Sequence, residues 1–181
     1  ILINKNLGMD IGSIFYMYKY CIKNNITFDW VLKIHTKSDS LWRNMLLQPI
    51  CNNMNIIHKF TKLKNIGIIS CRHYYALMDN LNIDYVKEIC EDMNIKYKDD
   101  FWFIAGTIFW MNFNIIKEYF GRINLDKYMD KFLDYKPLQN NTDNPYYEHA
   151  WERVISGLIV SDFNHKYITI DNDDNVELFN G

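Results

Sequence analysis

The stretch Asp29-Trp30-Val31-Leu32-Lys33-Ile34-His35-Thr36-Lys37-Ser38-Asp39 decides how the fold is read. An apolar run with β-branched Val31 and Ile34 ends abruptly in His35, Thr36 and Lys37, then passes into small polar residues. A buried parallel strand reads this way when its C-terminal end opens into a site. In open α/β sheets, ligands collect in the crevice beyond the carboxyl ends of the strands. An imidazole, a hydroxyl and an ammonium at such a point are placed to meet an anion. The plain alternative is a surface lysine beside a structural histidine.

On the N-terminal side, Ile1–Ile3 reads as a short strand, and residues 4–12 as a polar, glycine-bearing loop. From Ser13, a candidate N-cap, the pattern is helical to about Asn24. Strand, loop, helix and strand at this spacing predict a βαβ unit, with two parallel strands and a right-handed crossover. Both loops then open into one crevice. In the first of them Asn6, Gly8, Asp10 and Gly12 recur at every second position. Glycine lets the backbone approach a ligand closely, and Asn and Asp can hold sugar or ribose hydroxyls. The alternative is an ordinary strand-to-helix turn in which Asp10 faces the helix macrodipole. A dinucleotide fingerprint, GxGxxG, is absent.

On the C-terminal side, residues 41–63 read as helix broken at Pro49, Ile66–Ser70 as a buried strand, and Tyr74–Asn94 as helix. Phe101–Met111 is the most apolar run and reads as one strand bent at Gly106. Gly106 and Thr107 could offer backbone groups to an acceptor hydroxyl, and Trp110 could stack on a sugar ring; equally, these aromatics are core. Helices are predicted over Ile115–Phe120, Asp126–Leu133 and Pro145–Ile159, the last two separated by the loop-like segment Lys136–Asn144. On the last helix His149, Glu152 and Arg153 share a side with one another, close to Glu148. A carboxylate held by histidine or arginine at a cleft mouth can act as general base, whereas the bland reading is a solvated, salt-bridged face. Asp171-x-Asp173-Asp174 lies between Tyr167–Ile170 and Val176–Phe179 and reads as a hairpin turn rather than a metal site.

With 181 residues, of which 49% are hydrophobic, the chain suits one domain. A formal charge of −2 argues against a nucleic-acid binder. Cys21, Cys51, Cys71 and Cys90 form no CxxC, so neither zinc nor a disulfide framework is expected and a reducing, cytoplasmic setting is. No transmembrane run and no signal segment is legible. Ile1 stands inside an apolar run with no initiator methionine, so the chain is expected to be a piece of a longer protein.

Taken in order, Asn6-Leu7-Gly8-Met9-Asp10-Ile11-Gly12, Val31–Ser38 with its Lys-Ile-His-Thr-Lys, Trp42-Arg43, Ala105-Gly106-Thr107-Ile108-Phe109-Trp110 and His149-Ala150-Trp151-Glu152-Arg153 form a series. That series resembles the rhamnan synthesis F family of polysaccharide-assembling glycosyltransferases, from the first residues to about Ile159. The resemblance implies a GT-A-like α/β fold, a mostly parallel sheet with flanking helices, here lacking its N-terminal strands, followed by a C-terminal β-hairpin. It implies transfer of a sugar, rhamnose or another hexose, from a nucleotide-sugar donor to a hydroxyl of a growing glycan. Asn6, Gly8, His35, Thr36, Lys37 and Arg43 would then hold the donor and its diphosphate. Asp10, His149 and Glu152 would be catalytic, and Gly106, Thr107, Trp110 and Arg153 would meet the acceptor. No Asp-x-Asp follows the strand ending at His35, which favours cationic side chains over a manganese or magnesium ion at the diphosphate. The other class of function left open is a non-catalytic glycan-binding or scaffold domain derived from such an enzyme.

Overall fold

The structure is a computed structural model and describes residues 7–35, 39–77, 82–132 and 146–180. The elements run in the order α1 (Gly12–Lys23), β1 (Trp30–Lys33), α2 (Ser40–Asn52), α3 (Met54–Phe60), β2 (Ile66–Cys71) and, after a 3₁₀ turn, β3 (Tyr75–Leu77). They continue with α4 (Ile83–Met93), β4 (Trp102–Ile104), β5 (Phe109–Asn112), α5 (Phe113–Phe120) and α6 (Leu125–Met129). The last part comprises α7 (Tyr147–Arg153), a π-helical turn over Val154–Leu158, α8 (Ile159–Asp162), β6 (Lys166–Ile170) and β7 (Val176–Asn180).

A five-stranded sheet in the order β1-β5-β2-β6-β7 carries the fold, and β3 and β4 pair in a separate two-stranded sheet. The expected mostly parallel sheet is corrected here. Among the described residues only β2 and β6 pair in parallel, while β5 runs antiparallel to both β1 and β2, and β7 antiparallel to β6. β1, β2 and β6 do point the same way, but β5 is threaded between the first two. Apolar patterning marks which residues are buried and carries no information about strand direction, which is why the sequence misled.

Three further expectations change. Phe101–Met111 is not one bent strand: β4 and β5 belong to different sheets, joined by a turn over residues 105–108. The stretch read as helix from Tyr74 begins as strand β3, and helix is found only from Ile83. Pro49 does not break its helix; the break falls at Asn53. Proline has no N–H to give the carbonyl four residues back, and that carbonyl, of Met45, instead accepts from the Cys71 thiol at 3.2 Å. The C-terminal hairpin is present as β6–β7, and its turn is closed by the Asp171 carboxylate, which accepts from the Asp173 and Asn175 amides at 2.9 Å each.

Alternation in β5 divides the interior. Phe109 and Met111 face the main core, while Ile108 and Trp110 pack on the other side of the sheet against α2. The main core is aromatic where α7 docks. Trp151 is 0% exposed and meets Phe15 and Tyr128 edge-on at centroid distances of 4.8 and 4.9 Å. Such T-shaped pairs suit the ring quadrupoles and add to a large burial of apolar area. A polar cluster also holds α7: Lys131 of the segment after α6 donates to Glu88 of α4 at 2.6 Å and to the Tyr147 hydroxyl at 2.7 Å. Burial pushes the Glu88 carboxyl up, but the hydrogen bonds from Lys131 and Tyr147 outweigh it and hold the group below its ordinary range. With Trp151 locked in place, the next residue, Glu152, has a fixed heading.

Candidate functional site

Lys33 of β1, Phe109 of β5 and Ser70 of β2 stand level in the sheet. The carboxyl ends of β1 and β2 therefore finish along one edge, and the turn from β4 to β5 closes over it. In that turn Gly106 has φ 89° and Thr107 φ 48°. The left-handed region is open to glycine but disfavoured for a β-branched residue, at a cost of about 1–2 kcal/mol. Strain of this kind is kept where surrounding groups impose it.

Two side chains far away in sequence impose it here. The imidazole of His35, just past the end of β1, lies with Nε2 2.6 Å from the Gly106 carbonyl oxygen. A carbonyl only accepts, so Nε2 carries a proton. The same nitrogen is 3.4 Å from Oδ2 of Asp10, so the carboxylate and the Gly106 carbonyl share one N–H edge of the ring. From the other side, Glu152 Oε1 accepts from the Gly106 amide at 2.6 Å. One peptide unit is thus held by its N–H and the next by its C=O. Thr107 is 1% exposed, and its Oγ1 has no hydrogen-bond partner among the described residues. A buried hydroxyl left so costs about 1–3 kcal/mol.

The Glu152 helix is re-aimed by its π turn. Ser156 sits one turn after Glu152 and its hydroxyl donates to the Glu152 carbonyl at 2.7 Å while accepting from the Ile104 amide of β4 at 3.0 Å. The Gly157 carbonyl accepts from the buried Tyr167 hydroxyl at 2.8 Å, and burial lifts that phenol well above its ordinary range. Arg153 Nη1 donates to the His149 carbonyl at 3.0 Å and stands 3.9 Å from Glu152 Oε2, its guanidinium lying 4.9 Å above the Phe103 ring. Face-on placement over a phenyl ring is the cation–π geometry.

Asp10 reaches His35 because of the glycines around it. At Gly8, φ is 72° and an added Cβ would stand 2.4 Å from the Phe132 ring; at Gly12 it would meet the Leu7 carbonyl at 1.9 Å. Both glycines are explained by this close packing. Ser13 is not the N-cap: Ile11 holds that place, and the Ser13 hydroxyl donates to the Asp10 carbonyl.

Asp10, His35, Gly106, Thr107, Glu152 and Arg153 thus form one cluster; His149 joins it through its backbone carbonyl, which Arg153 holds, while its imidazole meets the Tyr146 ring edge-on at 5.9 Å. Trp110 lies on the opposite face of the sheet, its indole N–H donating to the Ile50 carbonyl at 3.1 Å. Trp42 and Arg43 are in the first turn of α2, where their amides bond to the Asp39 side chain and carbonyl. Asn6, Thr36 and Lys37 lie outside the described residues. Ser156 went unnoticed in the sequence, although its i+4 spacing from Glu152 put it on the same face. Among the described residues no group of three or more His, Cys, Asp and Glu side chains is placed to hold a metal ion. Asp10 and His35, one carboxylate and one imidazole bonded to each other, are a poor fit to the six oxygen ligands of magnesium. No described helix is long and apolar enough to cross a membrane.

Compared with models of known protein families, with curated proteins and with solved structures, the chain has no match.

Proposed function

We propose that the chain is the catalytic part of a GT-A-like glycosyltransferase that moves a sugar, rhamnose or another hexose, from a nucleotide-sugar donor to a hydroxyl of a growing glycan. One observation carries the reading: Asp10, His35 and Glu152, remote from one another in sequence, converge on the Gly106–Thr107 turn where strands of like direction end. Those residues and that turn are also the ones on which the likeness to the rhamnan synthesis F family rests. β1 has a strand neighbour on one side only among the described residues. Its other side is where further strands holding the nucleotide base would add.

In this reading the acceptor oxygen attacks the anomeric carbon, the bond from that carbon to the diphosphate breaks, and the nucleoside diphosphate leaves with the electron pair. The proton of the acceptor hydroxyl passes to the Glu152 carboxylate. Lys37 and His35 stabilise the charge that develops on the diphosphate, and Asp10 orients His35. Arg153 and the Gly106 amide fix the Glu152 carboxylate against the turn. The four cysteines are unpaired, in keeping with a cytoplasmic setting.

A second reading has its own support. His35 and Glu152 both bond to backbone, as they would in a glycan-binding domain that kept the architecture without the reaction. Glu152→Ala and Lys37→Ala in the full-length protein decide between them, with nucleotide-sugar turnover and circular dichroism measured together. Abolished transfer with the fold retained is expected; undiminished turnover in both variants would remove the enzyme reading.

A further inference from the structure

The strand that delivers the Gly106 turn begins with an aromatic side chain that faces solvent. Trp102 is 45% exposed, although nearly every other aromatic in its run is buried. Leu77, 53% exposed, stands directly opposite it in the β3–β4 register. Tyr75 stacks on Trp102 with centroids 4.9 Å apart and planes 19° from parallel. Tyr75 in turn rests on Tyr167 and Phe179 of the main sheet, at 5.3 and 4.6 Å. The indole is therefore braced from behind while its remaining surface faces water beside a leucine.

We infer that Trp102 and Leu77 form a stacking platform for a sugar unit of the acceptor glycan, distal to the Gly106 turn. The transfer role rests on the function proposed above; the glycan contact is shared with the second reading given there. Chain geometry supports the placement. From Trp102 to Gly106 is four residues, at most about 13 Å of extended chain, within reach of a short oligosaccharide. β4 is also rigidly backed, since a Cβ on Gly157 would come within 2.9 Å of the Trp102 carbonyl and the Ser156 hydroxyl grips the Ile104 amide. The platform and Glu152 are thus held by one helix.

The chemistry around the patch selects this occupant. The segment entering β4, Lys96-Tyr97-Lys98-Asp99-Asp100, carries two charges of each sign, so it offers no net field to a phosphate backbone or an anionic lipid surface. One tryptophan and one leucine fall far short of the roughly 1,000 Å² that a stable protein interface needs. A flat apolar surface with alternating charge nearby suits a neutral pyranose, whose C–H face lies on the indole while its hydroxyls meet the polar rim.

The test uses an array of immobilised linear hexose and 6-deoxyhexose oligosaccharides, from monosaccharide to hexasaccharide, with Trp102→Ala, Trp102→Phe and Leu77→Asp. Binding that strengthens with chain length is expected, with Trp102→Ala weakening the longer ligands roughly tenfold, about 1.4 kcal/mol, and Trp102→Phe retaining most of the affinity. Trp102→Ala also gives up the stack on Tyr75, so binding is read below the melting transition of each variant, with circular dichroism confirming the fold. No oligosaccharide binding by the native chain, or equal binding by Trp102→Ala, overturns the inference. So does Trp102-dependent binding to phosphatidylserine vesicles without sugar binding. Trp102-dependent sugar binding with no turnover of any nucleotide sugar keeps the platform and removes the transferase. Glu152-dependent transfer whose acceptor-length dependence ignores Trp102 does the reverse.

Discussion

Two of the described turns that use left-handed residues other than glycine are held in opposite ways. In the hairpin between β6 and β7, Asp174 has φ 64°, and the turn is closed by its own first residue, Asp171, reaching two and four residues ahead. In the turn between β4 and β5, Thr107 has φ 48°, and the bonds that hold it come from His35 and Glu152, 71 and 46 residues away from Gly106. The hairpin turn makes its closing bonds itself, and the rest of the fold adds side-chain contacts from Asn53 to Asp174 and from Arg72 to Asp171. A turn that recruits ionisable side chains from two distant elements into a strand-end crevice has brought reactive groups together. The hairpin holds the Asp-x-Asp that most resembles a metal motif, yet the other turn is the better candidate for chemistry.

The contrast can be broken most decisively at Glu152. Glu152→Ala should lower transfer by at least about a hundredfold, the lower end of what general acid–base groups supply, measured by steady-state turnover on protein whose fold is checked by circular dichroism. Next in size, His35→Ala should destabilise the chain by about 1–2 kcal/mol in urea unfolding, because it leaves the Gly106 carbonyl without its donor. If it proves neutral, the clamp does not hold the turn.

The third comparison is between paired substitutions. Thr107→Gly relieves about 1–2 kcal/mol of left-handed strain and loses about 0.5–1 to backbone entropy. A gain in stability of up to about 1 kcal/mol with impaired transfer is expected. Asp174→Gly should cost no more than about 1 kcal/mol, since aspartate tolerates that conformation and the change gives up only the exposed bond from Asn53. The smallest effect is at Asp171, whose carboxyl is held below its ordinary range by the Asn175 side chain, with help from the Asn175 and Asp173 amides and Arg72. A lowered pKa means stability that is fully present above the unfolded carboxylate value, about 3.9, and lost as pH falls through the folded value. The small difference in Tm between native chain and Asp171→Ala at pH 7 should therefore shrink as pH falls below the unfolded carboxylate range, with transfer at pH 7 unaffected.

How much of this was legible in the sequence follows from the kind of information each feature uses. Trp30–Lys33 and the docking helix carry their periodicity in consecutive residues, and both were readable within a few positions. The strand-end position of His35 followed from the polar residues that interrupt the run. Phe101–Met111 hid two strands, because Gly106 is the one ordinary turn residue in the run and its partner in the turn is a threonine under strain. The antiparallel return of β5 was invisible, since direction is decided by which neighbour pairs with it. Pro49 misled because the compensating donor, Cys71, lies in another element. Within the site, the residue types could be named in advance; that the backbone of Gly106 would be gripped at both its N–H and its C=O could not, as it needs three segments docked at once.

The π turn over Val154–Leu158 sets a phase. An α-helix advances about 100° per residue, and a π turn behaves as one residue inserted into it. Deleting a single residue there would restore a regular helix and rotate everything N-terminal to it by about that angle relative to α8. Glu152 would swing off the Gly106 amide and Trp151 out of its aromatic socket, although neither side chain had itself been altered. A shortened chain of this kind would separate the timing of the helical repeat from the identity of its residues.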